Sequence, residues 1–303
     1  MPEPTDTSGV LVTAAALAEL LDEPDLVVLD ASVDLPRPVA DGDHRASSGH
    51  AAWAAGHIPG SRHLDLLHAF TDPAAPYHFA QPTPARAAAV LGSLGVRPES
   101  RLVVYDRQDG FWAARTWWSL RALGLHSRVL DGGLSAWVTA GGRLLATRPD
   151  EAAPEPAPAH DPAALGLSAR PGAWASRDDV LEIVRGTRDA DLVCALGPEQ
   201  FSGRAPTRYS RRGHIPGSRN LPARGFIRPD GTLLDPGDLA DEARAELTGK
   251  DRDVVVYCGG GISAGFTALA LVLAGYTSVS VYDGSLEEWS ADPGLPLAVT
   301  PRG

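Results

Sequence analysis

The sequence predicts an α/β protein of two tandem domains, each a parallel sheet covered by helices on both faces. Two observations carry that prediction. Short β-branched apolar runs alternate with helical patterns along the chain, as right-handed βαβ units require. The chain also repeats itself. Gly56-His57-Ile58-Pro59-Gly60-Ser61-Arg62 returns as Gly213-His214-Ile215-Pro216-Gly217-Ser218-Arg219, at a separation of 157. Leu102-Val103-Val104-Tyr105 returns as Val254-Val255-Val256-Tyr257, and Asp131-Gly132-Gly133-Leu134 through Trp137 returns as Asp283-Gly284-Ser285-Leu286 through Trp289, both at a separation of 152. These periods far exceed the roughly 20 to 50 residues of solenoid repeats, so each copy should own a core. The 303 residues suit two domains of about 150 each.

In the first copy the pattern predicts a helix near Thr13 to Leu21, a strand at Leu26 to Leu29 and a helix near Pro84 to Leu94. A strand at Leu102 to Tyr105, a helix near Ala113 to Leu123 and a strand at Ser127 to Leu130 complete it. The second copy predicts helices near Arg177 to Arg185, Asp238 to Leu247 and Ser263 to Leu273. Its strands are Leu192 to Ala195, Val254 to Tyr257 and Val279 to Tyr282. Between the copies, Ala146 to Gly166 is dense in Pro, Ala and acidic residues, has little apolar surface to bury, and reads as an extended connector. The expected organisation is therefore domain 1–145, linker 146–166 and domain 167–303. Trp117, Trp118, Trp137 and Trp289 are expected in the core or at the domain interface.

Composition narrows the function. A hydrophobic fraction of 44% with 21% charged residues is ordinary for a soluble globular protein. The net charge of −11 argues against general attraction to nucleic acid or anionic membrane and favours small-molecule or protein partners. Apolar runs break within about ten residues, too short to span a bilayer. The N-terminus lacks the basic start and apolar core of a secretory signal, and two cysteines, Cys194 and Cys258, make neither a disulfide framework nor a structural zinc site. A cytoplasmic protein with no metal and no cofactor is expected.

The most informative segment is Cys258 to Ala264. It places one thiol at the end of the Val254 to Tyr257 strand, follows it with Gly259, Gly260 and Gly261, and then opens an apolar helix. Glycines there accept positive φ and let backbone N–H groups turn inward, so the loop and helix N-terminus form a concave donor surface for an anion. Thiols at helix N-termini are held as nucleophilic thiolates, which points to covalent chemistry on sulfur. The first copy has Asp106 in place of Cys258 and no glycine run, so one half should carry the chemistry while the other walls the site. Ser263 either caps the helix or donates its hydroxyl to the sulfur.

These residues resemble the two-domain rhodanese family of sulfurtransferases. The paired Gly-His-Ile-Pro-Gly loops, the two Trp-ended segments, Arg115-Thr116-Trp117-Trp118 and the cysteine loop all match, over nearly the whole chain. The resemblance implies a ping-pong reaction in which Cys258 takes a sulfane sulfur from a small anionic donor, becomes a persulfide, and passes the sulfur to cyanide or a thiol. Gly259, Gly260, Gly261, Ile262, Ser263 and Ala264 would cradle the persulfide. Ala264 stands where a related cysteine phosphatase needs its phosphate-binding arginine, which argues against phosphate chemistry. The uncharged loop is closest to 3-mercaptopyruvate sulfurtransferases, with thiosulfate as the alternative donor and a carrier loaded by a protein partner as the alternative role.

The same resemblance implies substrate binding by Arg208, with Arg204 as a substitute for the arginine replaced by Gln200. Together with Arg211 and Arg212 they form a local basic patch, suited to steering a small anion or simply a solvated face. His57 matches a family histidine and would transfer protons, beside the plainer reading that it orders its own turn, as does His214. The serine expected two residues after the nucleophile is Gly260. Cys194 is expected to pack in the core, with resolution of the persulfide as an alternative.

Overall fold

The computed structural model describes residues 9–147 and 162–300. The first repeat runs β1 (Leu11–Val12), α1 (Ala14–Leu20), β2 (Leu26–Asp30), β3 (Val33–Asp34), β4 (Ser47–Ser48), α2 (His50–Ala55) and β5 (Arg62–His63). It continues with α3 (Pro84–Ser93), β6 (Arg101–Tyr105), α4 (Phe111–Ala122), β7 (Ser127–Leu130) and α5 (Gly133–Thr139). The second runs β8 (Trp174–Ala175), α6 (Arg177–Val184), β9 (Asp191–Cys194), α7 (Pro198–Phe201), β10 (Arg219–Asn220) and α8 (Pro236–Arg244). It ends with β11 (Val254–Tyr257), α9 (Ile262–Leu273), β12 (Val279–Tyr282) and α10 (Ser285–Ala291).

The sheets have one topology. Strand order is β1-β7-β6-β2-β5 in the first and β8-β12-β11-β9-β10 in the second, every pairing parallel; β3 and β4 form a separate antiparallel pair. The central strands are β6 and β11, the two copies of the Val-Val-Tyr motif. Both are β-branched and buried apart from Arg101, as strands covered on both faces must be. Parallel strands place the following loops at one edge of each sheet, so Asp106 and Cys258 emerge at equivalent points.

Helices start where their caps allow. Thr13 and Thr83 accept the N–H of Ala16 and Arg86, and Ser176 forms a capping box with Asp179. The predicted strands and helices all form. Helix α9 begins at Ile262 rather than Ser263, because Gly261 at φ +80° turns the chain into the helix one residue sooner. The short edge strands β1, β5, β8 and β10 and helices α2, α5, α7 and α10 had no periodic signal long enough to read. Most of the expected connector, residues 148–161, lies outside the described residues. Its last part, Pro162–Leu165, is a 3-10 turn whose Leu165 packs on the core.

The two repeats share a core. Val104, Trp112 and Trp117 from the first and Val256, Phe266 and Leu269 from the second belong to one continuous buried cluster, with a smaller cluster on the far side of each sheet. Helices α4 and α9 cross at its centre. Gly265 makes this possible, since a Cβ there would sit 2.9 Å from the Cα of Arg115. Helix α9 is buried from Ala264 to Leu273, and burying Phe266 alone is worth roughly 1.5–3 kcal/mol. The four predicted tryptophans are all buried.

Candidate active site

Cys258 follows β11 and is 2% exposed. The first turn of α10 holds its loop from behind. Leu286 and Glu287 donate their N–H groups to the carbonyls of Cys258 and Gly259, at 3.0 and 2.8 Å. The N–H of Cys258 donates to Ser285 Oγ at 3.1 Å, and that hydroxyl donates to the Tyr282 carbonyl at 2.8 Å. Tying the carbonyls to α10 leaves the N–H groups that follow free to face the sulfur. Among the described residues, no protein group accepts the N–H of Gly261, Ile262, Ser263 or Ala264, at the positive end of a 12-residue helix. Gly261 carries no side-chain cap and Ser263 lies inside the helix, so the capping reading of Ser263 is not realised.

The first repeat shows what such N–H groups bind. Its loop is one residue longer, and α4 starts after Gly110 at φ +81°, as α9 starts after Gly261. Asp106, fully buried, turns its carboxylate into its own cradle. Oδ1 accepts the N–H groups of Gln108 and Gly110, at 2.7 and 3.0 Å, and Oδ2 accepts that of Ala113 at 2.8 Å. Aligned on the helix starts, Gly110 and Ala113 correspond to Gly261 and Ala264. Burial pushes the Asp106 carboxyl above its ordinary range, with the three N–H groups pulling the other way.

Side chains from both repeats surround the Cys258 loop. The ring of Tyr209 lies 3.3 Å from where a side chain at Gly259 would begin, and its buried hydroxyl has no partner among the described residues. Glu287 places Oε2 3.3 Å from the equivalent point at Gly260, and its Oε1 meets His78 Nδ1 at 2.5 Å. His78 stacks on His44 with ring centroids 3.8 Å apart; burial, then repulsion from His78, lowers the His44 pKa. Arg115 of α4 reaches across to Asp283 at 2.5 Å and to the Phe79 carbonyl at 2.6 Å. Its Nη1 lies 2.9 Å from a Cβ built on Gly261, so the cation backs the loop, and only glycine fits at that φ.

The residues singled out from sequence fall in different places. Arg208 donates to the carbonyls of Leu35 and Pro36, at 3.1 and 2.6 Å, and no carboxylate pairs with it among the described residues. Arg204 instead makes a two-pronged pair with Glu199 at 3.0 Å, Arg212 pairs with Asp41, and Arg211 caps the carbonyls of Ser290, Asp292 and Leu295. Of the expected steering patch, Arg204 and Arg212 are thus paired with carboxylates, while among the described residues Arg208 and Arg211 bind only backbone carbonyls. His57 directs Nδ1 to the Trp53 carbonyl at 3.0 Å and stacks on that ring, as His214 does with the Phe201 carbonyl and ring. Both order their turns, and the histidine that meets a residue of the Cys258 loop's surroundings is His78.

Cys194 is fully buried in the cluster containing Tyr257, whereas Cys258 belongs to the shared cluster on the other face. Burial pushes the Cys194 thiol up to about 12, which leaves it protonated and inert near neutral pH. His78 and Glu287 escaped the sequence reading. His78 has no counterpart in the second repeat, and Glu287 was visible only as a spacer inside the Trp289 motif. One signal is structural: Phe79, next to His78, holds φ +57°, a conformation rare outside glycine.

Comparison with known proteins agrees with this architecture. The Rhodanese-like domain family matches residues 13–140 and 200–292. A probable 3-mercaptopyruvate sulfurtransferase of Pseudomonas aeruginosa is 34% identical over 96% of this chain and 99% of its own. A putative thiosulfate sulfurtransferase, SseB of Mycobacterium tuberculosis, is 33% identical over 95% and 96%. Among solved structures, SseA from Escherichia coli, described as a 3-mercaptopyruvate sulfotransferase, superposes with a TM-score of 0.76 at 29% identity, covering 91% of this chain and 98% of that one. Tum1 from Saccharomyces cerevisiae shares the fold at a TM-score of 0.82 and 23% identity, covering 97% and 99%. Two matched repeats, two copies of one parallel sheet and a cysteine at the loop after one central strand make this chain a member of the rhodanese family.

Proposed function

We propose that this chain is a sulfurtransferase in which Cys258 carries a sulfane sulfur from 3-mercaptopyruvate to a thiophilic acceptor. The observation that supports it best is the pair of loops. Equivalent N–H groups bind a carboxylate in the first repeat and lie free around Cys258 in the second, ready for the anion formed on that sulfur.

The Cys258 thiolate attacks the donor sulfur. The donor's C–S bond breaks, its electron pair leaves as the enolate of pyruvate, and the proton from the donor thiol passes through His78 to that carbon. The negative charge now rests on the terminal sulfur of the Cys258 persulfide, within the cradle of Gly259 to Ala264. In the second half, cyanide or a thiolate attacks that sulfur, the S–S bond breaks, and the Cys258 thiolate returns. His78 takes the proton role first expected of His57, because its partner Glu287 lies beside Gly260 of the Cys258 loop, whereas the Nδ1 of His57 is held by the Trp53 carbonyl. Arg208, free of carboxylates, binds the donor's carboxylate; Arg204, already paired with Glu199, does not.

The donor preference rests on the absence of charge after Cys258. Gly259 offers no cation for a small dianion such as thiosulfate, and the Tyr209 ring fills the space beside it. Among the relatives, names for both donors occur. A sulfur-carrier protein as acceptor and a reducing cytoplasmic setting fit two free cysteines and the absence, among the described residues, of a helix long and apolar enough to cross a membrane.

The experiment is a mass measurement after 3-mercaptopyruvate treatment, which should show one added sulfur on the peptide containing Cys258. Comparing kcat/KM for the two donors then ranks them, and a higher value for thiosulfate would reverse the assignment. No persulfide with any small donor, but rapid loading by a cysteine desulfurase, would replace the enzyme with a dedicated carrier.

A further inference from the structure

His44, His78 and Glu287 each offer a ligand atom, and these atoms lie within 4.8 Å of one another. They come from three separate segments: the loop after β3, the loop before α3, and α10 of the other repeat. Two imidazoles and one carboxylate form a borderline nitrogen and oxygen set, which suits Zn²⁺ and its first-row neighbours and not the all-oxygen preference of Mg²⁺ or Ca²⁺. In a tetrahedral zinc site with bonds of about 2.0–2.2 Å, neighbouring donors stand roughly 3.3 Å apart. His78 and Glu287, hydrogen-bonded at 2.5 Å, have to part slightly and His44 to close in, and both movements fall on side chains with room to move. The side chain of His78 is 48% exposed and His44 is half-buried.

Three protein ligands leave a fourth coordination position open. Glu287 ties that position to the reactive loop, because its second carboxylate oxygen lies over Gly260 while its backbone N–H holds the Gly259 carbonyl. An ion bridging His78 and Glu287 therefore stands beside Gly260 of the Cys258 loop.

We propose that His44, His78 and Glu287 form a binding site for a zinc-type divalent cation, and that the bound ion shuts the sulfur-transfer site. Occupation takes the lone pair of His78 and sets a dication beside a loop shaped for an anionic sulfur. The binding half depends only on the three ligands. The inhibitory half rests on the reading of Cys258 as the sulfur carrier.

Calorimetric titration with zinc chloride tests the two halves separately. Cys258→Ser removes the thiolate, itself a strong zinc ligand, and should still bind one equivalent. Adding His44→Ala or Glu287→Gln to that variant should weaken binding on the order of tenfold or more, since even outer-shell partners of metal ligands are worth that much. Equal affinity in the double variants, or no binding once Cys258 is gone, would overturn the site. For the inhibitory half, His44→Ala on an otherwise native chain should keep sulfur transfer and require at least about tenfold more zinc for half inhibition. Unchanged zinc sensitivity in that variant refutes the shut-off, whatever the donor proves to be.

Discussion

The Asp106 and Cys258 loops are the same device with opposite contents. Each follows the central strand of its sheet, turns through a glycine in the left-handed region and opens a 12-residue helix. In the first repeat, a carboxylate three bonds from the backbone satisfies the inward N–H groups and the loop is chemically finished. In the second, the side chain ends one atom sooner, at a sulfur, and the donors are left for whatever that sulfur acquires. The comparison teaches that an anion cradle is a structural feature either copy can build. What differs between the halves is the residue at its centre and what backs it.

The largest effect should come from emptying that centre. Cys258→Ala should lower sulfur transfer by on the order of 10³-fold or more while leaving the unfolding midpoint close to that of the native chain, as read by a cyanide assay and by urea denaturation. Residual transfer above about a tenth of native would mean that the first repeat or Cys194 contributes. Next is the cation behind the loop. Arg115→Met leaves Asp283 buried without its partner and should cost about 3–5 kcal/mol in the same denaturation experiment, because an uncompensated buried charge is expensive.

The glycines that start α4 and α9 allow the comparison to be made side by side. Gly261→Ala and Gly110→Ala both force alanine into the left-handed region, at about 1–2 kcal/mol each. At Gly261 the new Cβ also meets Arg115 Nη1 at 2.9 Å, whereas at Gly110 the nearest atom is a Phe266 ring carbon at 3.4 Å. The second-repeat variant should therefore be the less stable of the two and the only one to lose activity. Equal losses would show that Arg115 does not press on the loop.

The smallest effect concerns the filled cradle. The raised pKa of Asp106 means the folded state holds its proton more tightly than the unfolded state does. Its contribution to stability is fully present below the unfolded pKa and is lost as pH rises through the folded one. Thermal melts of the native chain and Asp106→Asn should thus differ most in favour of the native chain at acid pH, with the difference shrinking as pH rises from about 4. A difference that grows with pH would show that the three N–H groups outweigh burial at this carboxylate.

Much of this was legible in the residues. The run Val254 to Ala264 states strand, thiol, turn and helix in eleven positions, and its counterpart at Leu102 states the same without the thiol. His57 carried two readings, and the contacts it shares with His214 in the other repeat, a ring nitrogen on a backbone carbonyl and a stacked aromatic, are those of the turn-ordering one. For Arg204 and Arg212 the gap has a different cause. Charge along a sequence is visible, but whether Glu199 or Asp41 stands opposite is not.

The sequence by itself determined the duplicated α/β architecture, the order of the central strands and helices, and the single loop that sets a thiol before a run of glycines. Those features follow from local causes: β-branched runs, apolar periodicity, and glycines where the backbone must turn. Only the tertiary structure decided what that loop faces. His78 and Glu287 are 209 residues apart and meet because α4 and α9 cross closely at Gly265, bringing one repeat against the other. Arg115 behind Gly261 follows from the same packing, while Tyr209 over Gly259 and Glu287 over Gly260 come from distant segments of the second repeat folded around its own sheet. No local pattern encodes such contacts, since they depend on how segments far apart in the chain, within the second repeat and across the core the repeats share, come to lie together.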